Sequence, residues 1–98
     1  MQVLYRTKKL EKVCTNLKEA VKHYGDDMAE KIHLRVSQIR SIDNVEDLVQ
    51  YRVGRCHMLE GNREGEYAMD LVHPYRLVFV KIEEDIQIAK VINIEDYH

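Results

Sequence analysis

Between His57 and Phe79 the chain reads HMLEGNREGEYAMDLVHPYRLVF, and it closes on Asp96-Tyr97-His98. These segments carry imidazole, phenol, carboxylate and guanidinium groups, the set needed to move protons and to steady an anion. Arg76 stands out because it sits between Tyr75 and Leu77 in an otherwise apolar run. A guanidinium stays ionised and is costly to bury unpaired. Arg76 is therefore either tied to a carboxylate, for which Asp70 across the strands is the expected partner, or held at an open face for an anionic ligand. Its planar fork suits phosphate better than a lysine would. Asp70 orienting Arg76 reconciles the two.

His57 precedes a glycine-rich loop, and His73 falls in a strand connection. Each is a titratable group near neutral pH, as is His98, which follows a strand that runs almost to the end of the chain. Cys56, His57, His73 and His98 show no ligand spacing such as a C-x-x-C pair, so neither a metal nor any other cofactor is expected. The two cysteines, Cys14 and Cys56, are too few for a disulfide framework and are read as reduced thiols.

The elements that must position these groups follow from periodicity. Val3-Leu4-Tyr5 reads as a first strand. Thr7 is a good N-cap for a helix whose apolar face is Leu10, Val13, Cys14, Leu17, Val21 and Tyr24. Gly25 suits its C-terminus and Asp26 the cap of a second helix. That helix buries Met28, Ala29, Ile32, Val36 and Ile39, and leaves Lys31, Arg35 and Arg40 to solvent. The pair should form an antiparallel hairpin, ended by Asp43 and Asn44, with a short turn of helix or an irregular link over 45–51. After the loop 61–65, alternating segments over 67–72, 75–82 and 86–94 read as an antiparallel meander. The expected fold is α+β, ordered β-α-α-β-β-β, with the helical hairpin on one face of a small, mainly antiparallel sheet.

Faces sharpen the expectation. Tyr67, Met69 and Leu71, with Tyr75, Leu77 and Phe79, are bulkier than their alternates and should cover the helices. For both sets to share a side, paired residue numbers must sum to an even value, through a three- or five-residue connection. Arg76 and Asp70 then share the open face. The acidic residues Glu60, Glu64, Glu66 and Asp70 match Arg52, Arg55, Arg63 and Arg76 in number. A phosphate site thus needs the arginines to converge while the acids point to the rim.

Length of 98 residues is that of one domain, 1–98. With 45% hydrophobic and 33% charged residues the chain is globular rather than disordered. Neither a membrane-spanning run nor an h-region is visible, which makes the cytoplasm the expected compartment. The net charge of −2 argues against long-range capture of a polyanion.

These residues resemble the RelE/ParE superfamily of bacterial toxins, and within it the HigB-type plasmid maintenance killer proteins. The resemblance rests on His57-x-Leu59-x-Gly61-x-Arg63-x-Gly65-x-Tyr67, on Tyr75-Arg76-Leu77-x-Phe79, and on the terminal Asp96-Tyr97-His98, in that order, and the expected β-α-α-β-β-β order extends it over essentially the whole chain. It implies a ribosome-dependent endoribonuclease that arrests growth by cutting mRNA, paired with a helix-turn-helix, HigA-like antitoxin that alone contacts operator DNA. It places His57 as the loop histidine, Arg76 as the strand arginine, and Asp96, Tyr97 and His98 as the terminal catalytic cluster. Arg63, Arg55 and His73 are the expected RNA contacts. Glu60 and Asp70 stand where the family often carries basic residues. The expected reaction is metal-independent attack of a ribose 2′-OH on the adjacent phosphate, with His98 or His57 moving the protons, Arg76 facing the developing charge and Tyr97 orienting the base. Two alternatives stay open, a ParE-like toxin acting on gyrase and an antitoxin-binding module without cleavage.

Overall fold

Thr7 opens the helical layer, its hydroxyl accepting from the Leu10 N–H at 3.1 Å. In the computed structural model, which describes residues 1–83 and 85–97, the helix it caps, α1 (Lys8–Thr15), ends sooner than the apolar spacing predicts. Asn16 takes an extended backbone and its side chain accepts from the Glu19 N–H, starting a new helix, α2 (Leu17–Tyr24). Asparagine competes for backbone donors in this way, so it interrupts helices more readily than it continues them. One consequence is that Leu17, expected in the core, is 52% exposed.

Gly25 follows with φ 85°, a left-handed conformation suited to glycine. It is itself the N-cap of α3 (Asp26–Ser41), so Asp26 is the first helical residue rather than the cap. Asp26 and Asp27 still favour the helix electrostatically from its first turn. Met28, Ala29, Ile32, Val36 and Ile39 are all buried, as their spacing requires. Asn44 then caps the short α4 (Val45–Gln50).

The strands β1 (Gln2–Tyr5), β2 (His57–Met58), β3 (Glu66–Asp70), β4 (Tyr75–Glu83) and β5 (Gln87–Asp96) form one sheet in the order β1-β5-β4-β3-β2. Among the described residues only β1 against β5 is parallel. The helices pack on one face, over Val3, Met69, Leu71, Leu77, Phe79, Ala89 and Val91. Tyr67 stacks on Phe79 directly opposite it, with ring centroids 5.6 Å apart. The β3–β4 register has the even parity that the bulky faces demand. Leu71 N–H donates to the Tyr75 carbonyl, which closes a three-residue connection, 72–74. The fold is the α+β arrangement expected, with the short β2 and the break at Asn16 added.

One irregularity decides what reaches the open face. Val78 pairs with Asn93, but Phe79 pairs with Val91, so β5 carries a bulge at Ile92. Since side chains alternate along a strand, the extra residue switches parity. Val91 and Ile94 both turn to the helices, and Glu95 turns out beside Arg76. An unbulged β5 would set Ile94 there and drive Glu95 into the core.

The helical layer also reaches the sheet's end through Arg35. This side chain is half-buried rather than solvated, and its Nε donates to the Asp70 carbonyl at 2.7 Å. It passes over Gly54, where an added Cβ would stand 2.6 Å from Nε, and Gly54 itself has φ 56°. Gly54→Ala is expected to lower unfolding free energy by about 1–3 kcal/mol through backbone strain and the collision. In an Arg35→Ala background the same change should cost less, because the colliding group is gone. Urea unfolding of the four-member cycle measures this, and strict additivity would remove the contact as the cause.

Candidate functional site

Arg76 lies on the open face in a row across three strands, opposite Asp70 on one side and Glu95 on the other. Its ion-pair partner is Glu95, not the Asp70 expected from sequence. Nε and Nη2 donate to Glu95 Oε2 at 3.1 and 2.9 Å. The same carboxylate receives Arg63 through Nη1 at 2.8 Å and Nη2 at 2.8 Å, and Asn93 Nδ2 at 3.1 Å. Arg63 is carried there by the 3-10 turn Gly61–Arg63, and Glu66 holds its other edge. The side chains of Arg76 and Glu95 are only 18% and 16% exposed. Hydrogen bonds from Arg63, opposed by partial burial and reinforced by Arg76, hold the Glu95 carboxyl down at about 2. Arg63 is correspondingly pushed up, by Glu95 first and Glu66 second.

Asp70 pairs instead with Arg55, whose Nε and Nη2 donate to its two oxygens at 2.6 and 3.2 Å. Glu66 and Asp70 are therefore bound among the arginines, not turned to the rim, whereas Glu60 and Glu64 are exposed. The segment carrying Arg55 is conformationally unusual. Arg52, Gly54 and Arg55 have φ of 52°, 56° and 57°, a region few side chains occupy without a structural reason.

His57 follows on β2, opposite Ala68 and hence on the open face. Its Nδ1 lies 2.8 Å from the Arg55 carbonyl oxygen. A carbonyl only accepts, so Nδ1 carries the proton and donates, leaving Nε2 of the neutral ring as an acceptor. Neighbouring Cys56 is buried, and burial pushes its thiol up to about 12, so no thiolate nucleophile is available there. Among the described residues no three His, Cys, Asp or Glu side chains converge on a point where a metal would fit.

Tyr97 closes the row. The Arg76 guanidinium sits 5.3 Å from its ring centroid, a cation–π contact. Its hydroxyl is 3.2 Å from His73 Nδ1, and the two rings meet edge to face. Arg76, Arg63, Arg55, His57, Tyr97 and His73 thus share one surface through direct contacts or single intermediaries. Asp96 does not share it. It pairs with Tyr75, a helix-facing residue, and so points from the other side of the sheet. His98 lies outside the described residues.

Glu95, Asn93, Arg35 and Arg52 were not among the expected site residues. A signal for Glu95 did exist, in the apolar pattern of β5. Ala89 and Val91 alternate, then Ile92 and Ile94 alternate on the opposite parity, which is how a bulge looks in sequence.

No family model matches the chain, and no curated protein matches it. Among solved structures it is similar to a YoeB/ParE toxin from Agrobacterium tumefaciens, with a TM-score of 0.67 at 17% identity, covering 100% of each chain. The chain has the fold of that toxin.

Glu95 makes acid stability a readout of the site. Its folded pKa is depressed from 4.5 to about 2, so its contribution is full above about pH 4.5 and is lost as pH falls toward 2. The stability gap between wild type and Glu95→Gln is expected to be widest above that window and to close within it. Chemical denaturation at a series of pH values checks this. A gap that stays constant from pH 6 to about 2 would mean that Glu95 is not held as described.

Proposed function

We propose that the chain is a single-domain toxin of a type II toxin–antitoxin pair. On this reading it acts in the cytoplasm as a HigB-type, metal-independent endoribonuclease on ribosome-bound mRNA. The observation that carries the proposal is the pairing, on one sheet face, of a fixed histidine with a fixed arginine fork. His57 presents Nε2 as an acceptor. Arg76 has its Nε and Nη2 edge pinned by Glu95, which leaves Nη1 for a ligand.

In the reaction proposed, the ribose 2′-oxygen attacks the adjacent phosphorus while a histidine takes its proton. The bond to the 5′-oxygen breaks, and that oxygen receives a proton, giving a 2′,3′-cyclic phosphate and a 5′-OH. His57 and His98 are the two groups proposed for these transfers. Arg76 Nη1 faces the charge that develops on the non-bridging oxygens, where a prepositioned donor acts most strongly. Tyr97 fixes the guanidinium plane from above and links it to His73. Arg63 and Arg55 line the path of the strand, each already oriented by a carboxylate. Asp96, on the other side of the sheet, is given no proton-transfer part and anchors the tail through its pairing with Tyr75. The partners are a helix-turn-helix, HigA-like antitoxin and the ribosome with its mRNA, with operator DNA reached only through the antitoxin.

A second reading draws on the same ion pairs. Arg55, Arg63 and Arg76 are each matched by an acid, which suits an antitoxin-binding module that does not cleave.

Mapping of mRNA 5′ ends after expression separates the two. Codon-registered cuts are expected for the ribonuclease and none for the module. Arg76→Ala should reduce cutting by about 10²–10³-fold, the usual loss for one transition-state donor. It should leave the fold intact, because Glu95 retains Arg63. Arg76→Lys should restore only part, since an ammonium cannot both hold Glu95 and offer a second edge. An Arg76→Ala protein that fails to fold would make the pair with Glu95 the residue's whole purpose.

A further inference from the structure

Beside the site, between the end of α4 and β2, lies a cavity of about 370 Å³ lined by Val49, Arg52, Arg55, Cys56 and His57. Its charge differs from that of the Arg76 row. Arg55 is neutralised by Asp70, and Cys56 remains a protonated thiol. Arg52 is exposed and, among the described residues, makes no ion pair or side-chain hydrogen bond, and no carboxylate lines the wall. A cavity with one uncompensated guanidinium and no acid selects an anion.

The remaining walls narrow the class. Val49 supplies an exposed apolar surface, and His57 offers an acceptor at Nε2. The volume falls at the small end of ligand pockets, which run from about 300 to 1,000 Å³. It accommodates one charged unit with an apolar part rather than a long segment. His57 also stands on the proposed catalytic face, two strands from β4, and so joins the cavity to the face that carries Arg76.

We propose that this cavity is a nucleotide subsite of the RNA strand, with Arg52 holding a phosphate neighbouring the one that faces Arg76. The inference rests on the ribonuclease reading above and adds to it a second phosphate contact on the far side of His57. The position of Arg52 is set by backbone as well as side chain. Its left-handed φ aims the residue from the turn that also places Arg55 and His57.

The test uses the full chain and an RNA trinucleotide with 2′-O-methyl riboses, which cannot undergo 2′-OH attack. Titration followed by ¹H–¹⁵N spectra should shift amides over 49–57. Arg52→Asn keeps a residue that tolerates left-handed backbone. It should bind about tenfold more weakly, as expected for loss of a charge-assisted contact. Arg52→Lys should fall between, and Arg76→Gln should leave the 52–57 shifts in place. Arg52→Asn binding within about twofold of wild type, less than a single hydrogen bond is worth, overturns the subsite. Shifts at 52–57 produced by a Glu-rich peptide but not by the trinucleotide also overturn it, in favour of a protein partner. Arg52-dependent trinucleotide binding without any cellular mRNA cuts would leave the subsite standing and sink the ribonuclease reading. Normal cuts with Arg52-independent binding would do the reverse.

Discussion

The carboxylate of Glu95 is the constraint on which the open face depends. Two guanidinium groups from different parts of the chain, Arg63 in a loop and Arg76 in a strand, converge on it with Asn93 as a third donor. Without an anion between them, two like charges on a partly desolvated surface would repel and drift into solvent. With it, both forks are fixed in plane and direction, and the loop 61–65 is tied to the far strand. The bulge at Ile92 makes this arrangement available, because it turns Glu95 out and Ile94 in. A backbone irregularity of one residue thus determines whether β5 contributes an acid or an isoleucine to the surface.

Asp70 performs a related task two strands away, on β3, and joins the site to the helical layer. Its carbonyl accepts from Arg35 of α3, and its side chain accepts from Arg55. Arg35 reaches that carbonyl only because Gly54 has no Cβ. The turn that sets Arg52, Arg55 and His57 is therefore held from below by a helix residue and from above by a strand carboxylate. Burial of Arg35 lowers its pKa, with Asp70 working in the opposite direction, and a guanidinium stays ionised in proteins. The contact works as a fixed strut rather than as a switch.

Local patterns in the sequence carried much of this fold. The spacing of Met28, Ala29, Ile32, Val36 and Ile39 located α3 and its buried face, and the bulky odd residues of β3 and β4 determined which side met the helices. Arg76 was visible because an ionised group in an apolar strand needs a reason. Its partner was not visible, because Asp70 and Glu95 are equally opposite Arg76 once the sheet is formed, and only the bulge parity puts Glu95 on that face. Asn16 was hidden for a different reason. The apolar spacing runs through it unbroken, so periodicity outweighed the capping preference of a single residue. Left-handed arginines at 52 and 55 violate the usual link between positive φ and glycine, and no composition signal marks them.

The paired arginines bear on how an acidic chain would engage RNA under the function proposed. A carboxylate-bound guanidinium adds little long-range attraction, so the face is poorly suited to capturing free polyanion from solution. At contact distance the balance changes. Arg55 and Arg76 each bind their acid through Nε and Nη2, which leaves Nη1 directed elsewhere with its orientation already set. The entropy of ordering that edge is spent on folding rather than on binding. Such a surface suits a substrate delivered and held by another body, where proximity replaces attraction. Ribosome-bound mRNA meets that requirement and free RNA does not. Under the ribonuclease function proposed, the net charge of −2 and the matched acids would be reconciled with activity by dependence on the ribosome.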